Sequence, residues 1–287
     1  MSHPLFSLSG RVALVTGAAQ GMGRATAMGF AEAGADVMLT DINGPGVHAT
    51  AEEVAALGRR AVPVACDMTD LEQIRALFAR CDQEFGRIDV LANVFGPVLI
   101  AKPEEIAIEE FQRIVFGLVV ARFCACQEAG RRMLQAGKGS IINTCSIAGV
   151  RALGRGNFAY SVGMGGVAQM TRELSTEWSG RGVRVNAILP AQVVNPILKE
   201  RMQADPTLQE TYLRGIPMGR LGVPDDVKGL AIFLASDASA WITGALIPMD
   251  GGNQAMNAGG TAGPGKDTGT NSQNRGRRRW HTKQREH

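Results

Sequence analysis

Residues 12–23 read VALVTGAAQGMG, a short apolar run followed at once by a loop with three closely spaced glycines. An apolar run of this length is typical of a parallel strand that is covered on both faces. Gly17 permits a tight turn, Gly21 lets the backbone approach a ligand closely, and Gly23 lets the next helix pack on the sheet. The start of that helix offers unpaired N–H groups to phosphates. The stretch therefore predicts a strand, a phosphate-binding loop and a helix.

The alternation of short apolar runs with helical patterns continues along the chain, as in a βαβ protein. The predicted fold class is α/β, a Rossmann-type doubly wound parallel sheet of about seven strands in a single domain spanning residues 6–257. The predicted strands are 12–16, 36–40, 61–65, 90–93, 140–144, 184–189 and 245–249, and the predicted helical stretches are 21–33, 52–57, 71–85, 108–135, 158–179 and 225–234.

Composition favours a globular domain: 45% of the 287 residues are hydrophobic and 20% are charged. The five cysteines have no zinc-ligand spacing, so we expect buried, reduced thiols and no metal site. We find no secretory signal pattern at the N-terminus and no apolar run long enough to cross a bilayer. A cytoplasmic protein without a membrane partner is the expectation.

Residues 258–287 differ in composition from the rest of the chain. They carry seven Lys or Arg and two Asp or Glu, a net charge of +5, which leaves −2 for residues 1–257 because the whole chain is +3. With few large apolar side chains, this basic tail is predicted to be disordered. Its arginines at 275–279 raise the possibility of a polyanion partner, but nucleic-acid binding is the less favoured interpretation.

Asp41 ends the second predicted strand, 18 residues after Gly23. A carboxylate at this place accepts hydrogen bonds from the hydroxyls of an adenosine ribose and repels a 2′-phosphate. Ile42 follows, and residues 16–21 contain no Lys or Arg. The predicted cofactor is therefore NAD rather than NADP.

With these motifs the sequence resembles the short-chain dehydrogenase/reductase family over about residues 6–253. The likeness rests on the glycine loop, Asn93, Ser146, Tyr160 and the ending at 250–252, Asp-Gly-Gly. It implies hydride transfer between NAD(P) and an alcohol or carbonyl compound, with Tyr160 as acid/base and Ser146 as donor to the substrate oxygen. It also implies a homotetramer. The cofactor-binding residues that it implies are Gly17, Gln20, Gly21, Met22, Gly23, Asp41, Ile42, Asp67, Met68, Asn93, Gly96, Tyr160, Pro190 and Val193.

The sequence departs from the family pattern in the half of the site that would hold nicotinamide. The family's lysine, four residues after the tyrosine, is Met164 here, and its helical asparagine falls at Leu118. A nearby ammonium lowers the pKa of a tyrosine, so its loss predicts a slower proton transfer. Arg151 and Arg155 are weighed as substitutes for that charge, although solvent-facing loop residues are the simpler interpretation.

Three functions remain open at this point. The first is a slowed NAD-dependent oxidoreductase acting on a small apolar alcohol or carbonyl compound. The second is a non-catalytic NAD-binding homologue that serves as a partner subunit or sensor. The third is a non-redox lyase, isomerase or cyclase built on the same scaffold. The persistence of Ser146 and Tyr160 favours the first.

Overall fold

The structure is a computed structural model that describes residues 3–256. Within that range one sheet holds seven parallel strands in the order β3-β2-β1-β4-β5-β6-β7. The strands are β1 Val12–Thr16, β2 Asp36–Asp41, β3 Ala61–Ala65, β4 Val90–Asn93, β5 Gly139–Thr144, β6 Val183–Pro190 and β7 Leu246–Met249. The α-helices are α1 Gly21–Glu32, α2 Gly44–Ala56, α3 Leu71–Phe85, α4 Ile108–Val115, α5 Arg122–Ala136, α6 Phe158–Trp178, α7 Pro196–Ala204, α8 Thr207–Leu213 and α9 Lys228–Ala235.

Helices cover both faces of the sheet, which explains why β1 is apolar throughout. Ala13 and Val15 pack on one face, in a cluster that includes Phe30 of α1. Leu14 points to the other face, where it packs with Phe78 of α3. Successive residues of a strand point to opposite faces, so a strand buried on both sides needs an unbroken apolar run. The predicted doubly wound α/β sheet is confirmed.

The strand order places a crevice at the carboxyl ends of β1 and β4. The chain runs from β1 outward to β3 and then returns to lay β4 on the other side of β1. This change of direction is a switch point, where the loops that leave two neighbouring strands run in opposite directions. Sheets of α/β proteins bind ligands in the crevice between such loops. The loops after β1, β2, β4, β5 and β6 therefore surround one cleft.

The predicted helix boundaries need three corrections. The stretch at 52–57 is only the end of α2, which begins at Gly44 because Asn43 caps it by accepting a hydrogen bond from the backbone N–H of Gly46. The single helix predicted at 108–135 is divided into α4 and α5 by a π-helical turn, Phe116–Ala121. Helices α7 and α8 were not predicted, because their few apolar residues do not form a long periodic pattern.

Two further expectations concern membranes and the C-terminal segment. Between residues 3 and 256 no helix combines the length and the apolar character needed to span a bilayer. The predicted basic tail, residues 258–287, lies outside the described residues.

The first turn of α1 lies against the end of β1, and Gly23 makes this contact possible. A Cβ placed on Gly23 would lie 1.8 Å from the carbonyl oxygen of Gly17. We expect Gly23→Ala to lower the free energy of unfolding by about 2–3 kcal/mol, since backbone atoms must separate to admit the methyl group. Urea denaturation followed by circular dichroism measures the change.

Gly229→Ala is the matched control, in the first turn of α9. A Cβ there meets nothing within 4 Å, so alanine should stabilise the protein by about 0.5 kcal/mol through helix propensity. Equal effects of the two substitutions would contradict the close contact at Gly23.

Candidate active site

The glycine loop between β1 and α1 has the geometry of an anion cradle. Gln20 is the N-cap of α1, but its side chain makes no capping hydrogen bond, so the first N–H groups of the helix are left for another partner. Gly21 has a φ of +56°, and a Cβ built on it would meet nothing within 4 Å. The loop therefore presents backbone donors and open space at the positive end of a helix dipole.

Asp41 lies beside this loop at the end of β2. Its carboxylate accepts hydrogen bonds from the backbone N–H groups of Ala19, at 3.1 Å, and Asn43, at 3.0 Å. These bonds fix the carboxylate at the entrance of a shallow cleft of about 60 Å³. The residues lining the cleft are Gly17, Asp41, Ile42, Cys66, Asp67, Met68 and Phe95. The structure therefore brings together the residues expected around an adenosine.

Thr16 joins this cleft to the strand at the centre of the sheet. Its buried hydroxyl accepts hydrogen bonds from the backbone N–H groups of Val94, at 3.0 Å, and Phe95, at 3.2 Å. The loop after β4 is thereby held against the loop after β1. Phe95 contributes one wall of the cleft as a result.

Tyr160 and Ser146 meet on the other side of the crevice. Ser146 follows β5 and accepts a hydrogen bond from the backbone N–H of Ala148 at 3.1 Å, whereas Tyr160 lies in the first turn of α6. Burial raises the pKa of Tyr160 above its ordinary value, and the Ser146 hydroxyl lowers it in part. At neutral pH the side chain is therefore a phenol that can donate a proton.

The residues at the two departures from the family pattern lie in one apolar cluster with Tyr160. Leu118 and Met164 are both buried, and both belong to the apolar cluster on which the Tyr160 ring packs. A Cβ built on Gly96 would lie 2.9 Å from Leu118 Cδ2 and 3.7 Å from Met164 Cε. Neither side chain has a donor for a ribose hydroxyl.

Arg122 is a residue of this region that sequence reasoning missed. Its guanidinium is buried, and it donates hydrogen bonds to the backbone carbonyls of Asn93 at 2.7 Å, of Thr144 at 3.0 Å, and of Phe95. Those carbonyls belong to the carboxyl ends of β4 and β5 and to the loop after β4. In the sequence, the signal that could have identified Arg122 was a charged residue in the middle of a largely apolar helical stretch.

By contrast, the two arginines weighed from the sequence, Arg151 and Arg155, are exposed, and the second stacks over the Tyr212 ring.

The side chain of Asn93 lies in the protein interior, and its backbone carbonyl lies at the edge of the crevice. Its amide donates to Asn143 Oδ1 at 3.1 Å in the protein interior, and Asn143 in turn donates to Thr171. The carbonyl of Asn93 is bonded to Arg122. Asn93 therefore joins the core of the sheet to the crevice through its backbone.

The loop after β6 forms the remaining wall. Pro190 ends the strand, and Val193 is held by a bridge to Gly222. The side-chain oxygen of Gln192 is buried and has no hydrogen-bond partner within the described part of the chain. Such an orphaned acceptor fits an amide N–H₂ or a hydroxyl of a bound molecule.

A domain of this topology, with a phosphate loop, an acidic β2 end and a Ser–Tyr pair, is a dinucleotide-binding oxidoreductase fold. Residues 17–254 match a family model described as enoyl-(acyl carrier protein) reductase. The chain is 38% identical to D-threitol dehydrogenase of Mycolicibacterium smegmatis over 247 residues, covering 86% of this chain and 94% of that protein.

Solved structures agree with these matches. A putative short-chain alcohol dehydrogenase from Sinorhizobium meliloti superposes with a TM-score of 0.84 at 36% identity, over 88% of this chain and 99% of that one. A putative NAD(P)-dependent gluconate 5-dehydrogenase from Beutenbergia cavernae with bound NADP gives 0.82 at 37% identity, over 88% and 99%. The chain belongs to the short-chain dehydrogenase/reductase family, and it is an oxidoreductase of that class.

A nicotinamide dinucleotide fits the residues of one half of the crevice better than those of the other. The open space at Gly21, the free N–H groups at the start of α1 and the Asp41 carboxylate match a pyrophosphate and an adenosine ribose. On the nicotinamide side Gln192 offers an acceptor, but Met164 and Leu118 offer only apolar contact.

The open space at Gly21 makes a testable prediction about binding. Gly21→Ala should weaken NADH binding by about tenfold or more, because the new methyl group enters the space next to the loop's N–H groups. Its positive φ should also cost roughly 1–2 kcal/mol of stability. Isothermal calorimetry measures the affinity, and urea denaturation measures the stability.

Gly58→Ala provides the control for backbone strain. Gly58 has a φ of +75°, a Cβ there meets nothing within 4 Å, and the residue follows α2 at the other end of the sheet. The Gly58→Ala protein should lose about as much stability as the Gly21→Ala protein and should keep its NADH affinity. A parallel loss of affinity in both variants would exclude a role for the space at Gly21.

Proposed function

We propose that this protein is an NAD-dependent oxidoreductase that interconverts an apolar alcohol and its ketone, with Tyr160 as acid/base and Ser146 as donor to the substrate oxygen. The observation that carries the proposal is that Tyr160 and Ser146 lie together in apolar surroundings at the carboxyl ends of the strands. Partly buried Leu99, Val150 and Leu153 belong to those surroundings. They favour a substrate with an apolar surface beside the reacting carbon.

The reaction uses the residues as follows. A nicotinamide dinucleotide held by the glycine loop and Asp41 would supply or accept the hydride. Ser146 holds the substrate oxygen with its hydroxyl, and Tyr160 passes a proton to that oxygen or removes one from it. Because burial raises the pKa of Tyr160, the phenol form dominates at neutral pH, and this form serves ketone reduction. Alcohol oxidation needs the phenolate, so its rate should rise with pH.

The proposed preference for NAD rests on Asp41. Cations near the cleft do not offset its charge, since Arg24 of α1 is paired with Glu53. The carboxylate would accept the ribose hydroxyls of NAD and repel the 2′-phosphate of NADP.

A homotetramer is part of the same proposal. Large apolar side chains remain exposed on the outer side of the α4–α6 region, and a second copy of the chain would cover them. These side chains are Phe116, Val120, Phe123, Phe158 and Val162.

The test begins with NADH binding, followed by energy transfer from tryptophan, and continues with turnover on cyclic ketones, open-chain ketones and keto-sugars. We expect binding in the micromolar range and slow oxidation of NADH with an apolar ketone. Turnover on keto-sugars alone would overturn the apolar part of the proposal. Binding without any turnover would favour the non-catalytic homologue, which the apolar Leu118 and Met164 also favour.

Tyr160→Phe should reduce ketone reduction at least 10²-fold, because the variant lacks the proton that the substrate oxygen receives. Its NADH affinity should change little. The chain contains two tyrosines, so Tyr212→Phe is the natural control and should retain turnover. Substrate conversion without a change in nicotinamide absorbance would instead point to a non-redox enzyme.

Asp41→Asn tests the cofactor preference by removing the charge, and it keeps one side-chain acceptor oxygen in place of the two that now bond Ala19 and Asn43. We expect NADPH affinity to rise about tenfold or more as the charge repulsion disappears, and NADH affinity to fall a few-fold. Calorimetric titration with both cofactors gives the ratio. An unchanged ratio would remove Asp41 from the selection of the cofactor.

A further inference from the structure

Arg122 is a buried cation whose hydrogen-bond partners are all uncharged. It bonds the backbone carbonyls of Asn93, Thr144 and Phe95, and its Nε is buried without a partner within residues 3–256. Burying a guanidinium costs several kcal/mol, which three carbonyl oxygens offset only in part. An arginine keeps its charge even in such surroundings. The fold therefore maintains an uncompensated positive charge behind the crevice.

The ionisable groups whose charges interact with that of Arg122 are Cys126, Cys145 and Tyr160. Burial raises the pKa of the Cys126 thiol to about 12 and raises that of Cys145 as well, so both thiols are neutral at ordinary pH. Arg122 and Cys145 are also the charged or titratable groups that act on Tyr160. Of the three groups, Tyr160 is the one to which the proposed function assigns a proton exchange.

The guanidinium and the two apolar side chains at positions 118 and 164 converge on one point. A Cβ built on Gly96 would lie 2.9 Å from Leu118 Cδ2, 3.4 Å from Arg122 Nη2 and 3.7 Å from Met164 Cε. Apolar side chains next to a charge exclude water from its surroundings. The field of the guanidinium is therefore weakly screened in the direction of the crevice.

We propose that Arg122 is a positioning residue that acts through Tyr160 by supplying, from helix α5, the fixed positive charge that stabilises the phenolate. The proposal rests on the function proposed for Tyr160, since a phenolate matters only if that residue exchanges a proton. Arg122 supplies the charge alone. It does not exchange protons at neutral pH, and its bonds to the strand ends keep it away from the ligand.

The charge at position 122 also accounts for the methionine at position 164. An ammonium group in the place of Met164 Cε would lie no more than about 7 Å from the guanidinium, and the two buried cations would repel each other. Met164→Lys alone should therefore destabilise the protein. The exchange Arg122→Met with Met164→Lys removes this repulsion and keeps a single charge near Gly96, although the strand-end carbonyls lose their donor.

The test measures the ionisation of Tyr160 directly. Tyr212→Phe leaves Tyr160 as the sole tyrosine, and ¹³C labelling of its Cζ then gives its pKa by NMR, with circular dichroism at each pH to confirm folding. We expect Arg122→Met to raise the pKa by about one unit. We expect the exchanged double variant to bring it back toward the parent value.

Arg184→Met is the matched control. Arg184 also donates to three backbone carbonyls, those of Leu234, Ser236 and Ile242, but at the amino end of β6. The Arg184→Met substitution should lower the stability about as much as Arg122→Met does and should leave the pKa of Tyr160 unchanged. An equal pKa in the Arg122→Met and Arg184→Met proteins would overturn the proposal.

Two conservative variants protect the test against misfolding of Arg122→Met. Arg122→Gln keeps a donor for the strand carbonyls without the charge and should raise the pKa, whereas Arg122→Lys keeps the charge and should not. Equal values in these two would also refute the proposal. The titration needs no substrate, so an inactive enzyme with a charge-dependent Tyr160 pKa would separate a failure of the proposed reaction from a failure of this inference.

Discussion

The guanidinium of Arg122 binds the carbonyl ends of β4 and β5, and the crevice forms around this contact. Parallel strands direct their last carbonyls to the same edge of the sheet, where no further strand residue accepts or donates to them. A buried donor group is therefore needed at that edge. Here the Arg122 side chain is the donor for the ends of both strands and for the carbonyl of Phe95, a residue that lines the adenosine cleft. The same hydrogen bonds hold a positive charge behind the crevice.

The two halves of the crevice differ because they depend on different parts of the chain. The dinucleotide half is made by backbone geometry: the turn at Gly17, the open space at Gly21 and the start of α1. Such a site needs few particular side chains beyond Asp41. The other half depends on side-chain donors, and there Leu118 and Met164 are buried apolar side chains without a donor. Binding of a dinucleotide and proton transfer are thus separable properties of this fold.

The acidity of Tyr160 results from opposing effects. Burial disfavours the phenolate and raises the pKa, whereas the Ser146 hydroxyl and the Arg122 charge favour it and lower the pKa. Burial is the largest of these, so the group is a proton donor at neutral pH. A reductase needs that form, and a dehydrogenase working at the same pH needs the other. In the proposed reaction, the burial of this one hydroxyl therefore influences the pH at which alcohol oxidation becomes fast.

The sequence by itself determined the sheet, its parallel strands and the phosphate loop, because these depend on local patterns: unbroken apolar runs, glycines at fixed spacing and Asp41 at the end of a strand. It also indicated Ser146 and Tyr160 as partners. The tertiary structure alone decided what surrounds them. Arg122 lies 38 residues before Tyr160 in the chain and on another helix, so only the packing of α5 against the strand ends brings its charge to the site. Long-range packing leaves no periodic signal in a single sequence, and this is why the buried cation became visible only in the folded molecule.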